Sequence, residues 1–119
     1  MKISNDKFKI DDKSILNYYE IKSNKPKLLL LHAQGTNSLS FMSVINKLSK
    51  YFHIYLVDYY GHGKSSFNRE KYNLVDIGND IIKFIEEVIK DNVSVLGHSS
   101  GGLIASYIAS NCELCSGLI

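Results

Sequence analysis

Val93-Ser94-Val95-Leu96-Gly97-His98-Ser99-Ser100-Gly101-Gly102 joins a short apolar run to a cluster of glycines and serines. Val93 to Leu96 reads as a strand buried on both faces. Ser100 to Ala109 reads as the helix that follows it. Between them stands Gly97-His98-Ser99-Ser100-Gly101, a Gly-x-Ser-x-Gly turn. A strand-to-helix turn this tight needs small flanking residues, because side chains would clash there, and it holds the serine hydroxyl above the sheet edge. The amino terminus of the helix offers N–H groups to a developing oxyanion. Ser99 is therefore the candidate nucleophile, with Gly97 and Gly101 shaping its turn. Gly102 is expected to let the helix pack close to the sheet. The plainer alternative is a glycine-rich turn without chemistry.

Working outward, the chain alternates strands and helices. Lys7 to Ile21 reads as a hairpin around Asp11-Asp12-Lys13-Ser14, with Phe8 and Ile10 alternating with polar residues. Leu28 to Leu31 and His53 to Tyr59 read as further buried strands. Ser38 to Lys50 carries Phe41, Ile45 and Leu48 at helical spacing. Asn73 to Asp91 is the clearest helix, opened by Asn73 with Asp76 three residues later. Gly117-Leu118-Ile119 starts a fourth strand of the series. The pattern predicts an α/β fold: a mostly parallel sheet with helices on both faces, opened by an antiparallel hairpin. Ligand sites in such sheets lie beyond the carboxyl ends of the strands. The loops after Leu31, Asp58 and Leu96 are thus the places to look, and each contains histidine and glycine.

In the first of these loops, Leu31-His32-Ala33-Gln34-Gly35, His32 alone is better read as a histidine bonding the loop backbone than as a proton-transfer group. The second runs Val57-Asp58-Tyr59-Tyr60-Gly61-His62-Gly63-Lys64-Ser65-Ser66. Its Gly63-Lys64-Ser65 suggests a phosphate loop, but that motif needs glycine where Asp58 stands. Residues 97–102 also miss the dinucleotide fingerprint, whose third position must be glycine. Asp58, Gly61 and His62 read as a loop bonded to itself beside the sheet edge.

Composition narrows the function classes. The 119 residues carry a net charge of +2, from 14 basic and 12 acidic groups, and are 45% hydrophobic. One globular domain or part of one accounts for this, whereas a disordered tail does not. No basic stripe tracks phosphates, so no nucleic-acid partner is expected. Lys22, Lys25 and Lys27 flank Pro26 as a solvated turn. The longest aliphatic run, Leu28 to Leu31, is far short of a membrane span, and the charged amino terminus lacks a signal-peptide core. A cytoplasmic location is expected. Cys112 and Cys115 form one Cys-x-x-Cys without a second pair to complete a zinc site. They read as inert thiols, with an incidental disulfide and metal or redox chemistry as alternatives. No metal or cofactor is expected.

Taken together, the three loops resemble the α/β-hydrolase family, whose pattern is an apolar strand ending in His-Gly, then Asp-x-x-Gly-His-Gly-x-Ser, then Gly-x-Ser-x-Gly. The resemblance runs from about Lys7 to Ile119. It implies a serine hydrolase acting on a small-molecule carboxylic ester or related acyl substrate through an acyl-enzyme on Ser99. It further implies Ser100 and Gln34 as the two oxyanion donors. Ala33 departs from the family, which usually has glycine after the histidine. Serine at the elbow, where aspartate would be needed, argues against a haloalkane dehalogenase or epoxide hydrolase.

The family's acid and histidine follow the serine on later loops. Only 20 residues follow Ser99 here. His32 and His62 belong to loops, His53 begins a strand, and His98 should point away from the site. Residues 1–119 are thus expected to form the amino-terminal part of a domain truncated at its carboxyl end, with self-association through the open sheet edge. The alternative from another class is a non-catalytic fragment or an assembly or binding module.

Overall fold

A computed structural model describes residues 2–69 and 72–119. Six strands form one sheet in the order β1-β2-β4-β3-β5-β6. They are β1 (Ser4–Lys9), β2 (Ile15–Ile21), β3 (Lys27–Leu31), β4 (His53–Val57), β5 (Val93–Gly97) and β6 (Cys115–Leu118). β1 pairs antiparallel with β2, with Phe8 opposite Leu16, and β2 pairs antiparallel with β4. The pairs β4–β3, β3–β5 and β5–β6 are all parallel. The expected parallel sheet opened by a hairpin is what forms. Its hairpin closes where the Ile10 N–H donates to the Ser14 carbonyl at 2.9 Å, with the Asp11 carboxylate accepting from the Lys13 N–H.

The apolar runs of β3 and β4 are continuous because both faces of these strands are covered. Leu29, Leu31, Tyr55, Val57 and Val95 face one core, formed with α2 (Leu74–Phe84) and α3 (Gly101–Asn111). Leu28, Leu30, Ile54 and Leu56 face the opposite core, against Phe41 and Ile45. α2 starts where expected: the Asn73 side chain accepts from the Asp76 N–H at 2.9 Å, and the Asp76 carboxylate accepts from the Asn73 N–H at 3.0 Å. Its continuation, Ile85–Ile89, is a π-turn closed by the Lys90 N–H on the Ile85 carbonyl, with Lys90 at φ 55°.

Several expectations need correction. Ser38 to Lys50 is not one helix but a 3₁₀ turn (Ser38–Phe41) and a four-residue helix, α1 (Ile45–Leu48). Phe41 and Ile45 are both buried, so the spacing reported a covered face. Ser40, Ser43 and β-branched Val44 are weak helix formers, and the helix breaks between those anchors. The long helix ends at Ile89 rather than Asp91, because Lys90 already has left-handed backbone. The last strand begins at Cys115, two residues before Gly117. Cys112 is buried, Cys115 is half-buried, and both thiols are free.

Candidate active site

The loops after β3, β4 and β5 meet at the carboxyl ends of the parallel strands. β5 ends at Gly97, and the His98 N–H donates to the Leu31 carbonyl at 3.0 Å, which ties the third loop to the end of β3. Ser99 follows with φ 57°, left-handed backbone that a residue with a side chain rarely adopts, and it is exposed. The chain then turns at once into α3. An added Cβ on Gly97 would stand 2.2 Å from the Gly101 carbonyl oxygen, and one on Gly101 would stand 2.5 Å from that of Leu31. Gly102 does not have the role expected of it: a Cβ there would meet only the Gly97 oxygen, at 3.9 Å. Close approach of helix to sheet rests on Gly101.

Backbone donors around Ser99 are mostly committed. The Gly101, Gly102 and Leu103 N–H groups turn back to the carbonyls of His98, Ser99 and Ser100. In the first loop, Thr36 N–H donates to the Ala33 carbonyl and Gly35 N–H to His62 Nε2 at 2.9 Å. The Gln34 N–H donates to Ser100 Oγ at 2.6 Å. Among the described residues, the Ser100 N–H has no backbone acceptor. Gln34 and Ser100 are therefore brought into direct contact through the Ser100 side chain.

His32 is fully buried, with Nδ1 against the Ala33 carbonyl at 2.8 Å and Nε2 accepting from the Tyr59 N–H at 3.2 Å. Both bonds call for the neutral ring protonated at Nδ1. Burial lowers its pKa, and the neighbouring His62 adds to this. The Tyr59 ring stacks on it at 3.8 Å while its hydroxyl donates to the His32 carbonyl. His62 is held likewise, with Nδ1 at the Tyr60 carbonyl and Nε2 taking the Gly35 N–H. His53 lies between the Ser23 carbonyl and the Glu20 carboxylate. His98 is exposed and stands edge-on to Phe41.

Asp58 is more than a link within its own loop. Its carboxylate accepts from the Ser38 N–H at 2.9 Å, Asn17 Nδ2 at 3.0 Å and the Lys64 N–H at 3.2 Å. Burial opposes the charge, but these bonds outweigh it and hold the pKa below the ordinary carboxylate value. Ser65 extends the network, donating to the Asp58 carbonyl and accepting from the Asn17 N–H. Gly61 turns the loop at φ 79°. Asn17, Ser65 and Tyr59 were not singled out from the sequence. A buried asparagine within the apolar β2 run was the available signal.

With this geometry in view, relatives can be placed beside the chain. The family model described as alpha/beta hydrolase fold matches residues 26–118. A putative esterase/lipase of Haemophilus influenzae is 32% identical over 98% of this chain, and a pimeloyl-[acyl-carrier protein] methyl ester esterase of Yersinia pseudotuberculosis is 36% identical over 77% of it. The crystal structure of a hydrolase from Pseudomonas aeruginosa superposes with a TM-score of 0.83 over 90% of the chain, at 25% identity. The chain spans 42%, 34% and 41% of the lengths of these three proteins. Six strands in this order, the three loops at one end of the sheet and the family match together make the chain a member of the alpha/beta hydrolase fold family.

Proposed function

We propose that the chain carries the nucleophile and oxyanion loops of a serine hydrolase acting on a small carboxylic ester or related acyl substrate. The observation that carries this reading is Ser99, exposed and held at φ 57° between β5 and α3. Strain of this kind persists where surrounding structure over-determines it, and it clusters at active sites. In the reaction, Ser99 Oγ bonds to the acyl carbon as its proton passes to a base. The C–O bond to the alcohol then breaks and the alcohol leaves protonated. Water repeats the sequence on the ester of Ser99, releasing the carboxylic acid and restoring the serine. No histidine here is placed as that base: His32, His53 and His62 are bonded elsewhere and His98 lies beside Phe41.

The test is labelling by an activated p-nitrophenyl phosphonate, read by intact mass and peptide mapping. Stoichiometric modification of Ser99 in the longest polypeptide encoded in frame with these residues is the expected result. Modification elsewhere, or none, would overturn the reading.

A second reading has its own support. Leu118 and Ile119 at β6 are exposed, as is Leu103 on α3, so an apolar sheet edge lies open. Such an edge favours a binding or assembly module, because open strands recruit other strands. Self-association of the 119-residue chain through β6 is expected under either reading. Light scattering that finds a monodisperse monomer over a wide concentration range would count against it.

A further inference from the structure

We infer that Thr36 is a positioning residue: its hydroxyl fixes the Ala33 carbonyl and so aims the Gln34 N–H, which shares that peptide plane, at the oxyanion. This rests on the reading above, with Ser99 as nucleophile and the Gln34 N–H as one of the oxyanion donors. Three donors converge on the Ala33 carbonyl oxygen. Thr36 Oγ1 donates at 2.7 Å, His32 Nδ1 at 2.8 Å and the Thr36 N–H at 3.1 Å. The His32 ring donates there because its Nε2 accepts from the Tyr59 N–H. Residues 33–36 thus form a β-turn closed twice by its last residue, with Gly35 at φ 87° in the third position.

A peptide unit is planar and trans, so its C=O and N–H point opposite ways and neither turns without the other. Holding the Ala33 oxygen inside the turn therefore directs the Gln34 N–H outward, toward the start of α3. There it donates to Ser100 Oγ at 2.6 Å, on the residue that follows Ser99. The Ser100 hydroxyl turns about a single bond, so it can yield this donor to an oxyanion, the stronger acceptor. The next peptide is held separately, its Gly35 N–H taken by His62 Nε2 at 2.9 Å. Gln34 is thus fixed on both sides. Among the described non-glycine residues only Lys90 and Ser99 have positive φ, so Ala33 carries its methyl group without backbone strain. Its departure from the family's glycine leaves the aim of the N–H intact.

Thr36→Val keeps the branched shape and the backbone N–H but removes the hydroxyl. In the 119-residue chain its Gln34 amide proton should move upfield in ¹⁵N–¹H spectra, and Thr36→Ser should return it. The kinetic arm uses the longest polypeptide encoded in frame with these residues, hydrolysing p-nitrophenyl acetate. Phosphonate labelling of Ser99 counts its active sites, so a loss of folded protein does not register as a loss of rate. With Thr36→Val, kcat per site should fall roughly three- to tenfold, the worth of one hydrogen bond, while KM stays unchanged. Thr36→Ser should recover it. A merely structural hydroxyl would lower the number of sites and leave kcat per site alone. An unmoved Gln34 amide, an unchanged kcat per site, or no recovery with Thr36→Ser would overturn the inference. Failure of the unsubstituted polypeptide to label at Ser99 would instead sink the nucleophile reading, and this inference with it.

Discussion

Gly101 lies under the end of β3 so closely that a Cβ on it would stand 2.5 Å from the Leu31 carbonyl oxygen. The obstacle is backbone, which cannot rotate aside as a side chain can. Gly101→Ala must therefore push α3 away from the sheet or distort the turn that holds Ser99. Overpacking of this kind costs roughly 1–3 kcal/mol, and the backbone contact favours the upper end. Gly102→Ala has only the Gly97 oxygen at 3.9 Å to meet, so it should change stability by less than about 0.5 kcal/mol, in either direction. Urea unfolding of the two variants side by side checks the contrast.

Asp58 gives the fold an acid-sensitive joint. It is 2% exposed and accepts from donors on β2, the 3₁₀ turn and its own loop. Its pKa in the folded chain lies below the ordinary value of 3.8, so its contribution is complete above that pH and disappears as pH falls through the lower, folded value. Asp58→Asn presents an amide N–H₂ to at least one of those donors. It should cost roughly 2–3 kcal/mol near neutrality. The gap between the two proteins in urea titrations should hold from pH 7 to about pH 5 and narrow only below pH 3.8. A gap that closed already at pH 5 to 6 would show that another group is being titrated.

The parts of this architecture legible in the sequence are those that local chemistry specifies. The capping pair Asn73 and Asp76 opens α2 by contacts three residues apart, and the leucine run of β3 is apolar because both of its faces are covered. The Gly97 to Gly101 turn is equally local. The supports of the loops are not. Asn17 meets Asp58 from 41 residues away, and Ser100 meets the Gln34 N–H from 66. No periodicity encodes such pairs, because each depends on the register in which β2, β4, β3 and β5 assemble. The broken helix at 38–50 misled for a related reason. Helical spacing of Phe41 and Ile45 records what the sheet buries, and weak helix formers between them leave the path of the backbone open.

Ser99 also supports a stability prediction that does not depend on any substrate. A non-glycine residue in left-handed backbone costs about 1–2 kcal/mol relative to its relaxed conformation. Ser99→Gly removes that strain, at the expense of added freedom in the unfolded chain. The net expectation is a gain of roughly 0.5–1 kcal/mol in unfolding free energy, together with loss of the candidate nucleophile. Ser99→Ala keeps the strain and should leave stability within about 0.5 kcal/mol of the parent. Equal stabilities for the glycine and alanine variants would mean that the turn relaxes in solution and that φ 57° is not enforced by its surroundings.

The 119-residue chain by itself should be a feeble hydrolase. A serine hydroxyl is a weak nucleophile until a base takes its proton, and the ring nitrogens of His32, His53 and His62 are already occupied. In the subtilisin example, losing the triad histidine costs about a millionfold in kcat, while binding and the oxyanion hole retain roughly 10³–10⁴ over water. Ser99→Ala should consequently leave p-nitrophenyl acetate hydrolysis by the isolated chain almost unchanged, yet abolish it in any longer in-frame polypeptide that supplies a base. Measuring both proteins with and without the substitution separates the contribution of Ser99 from background ester aminolysis by surface lysines. If the isolated chain loses more than about tenfold of its activity on Ser99→Ala, a base within these residues is activating the serine. His98 would then be the first to replace, since its exposed ring packs against Phe41 beside the turn.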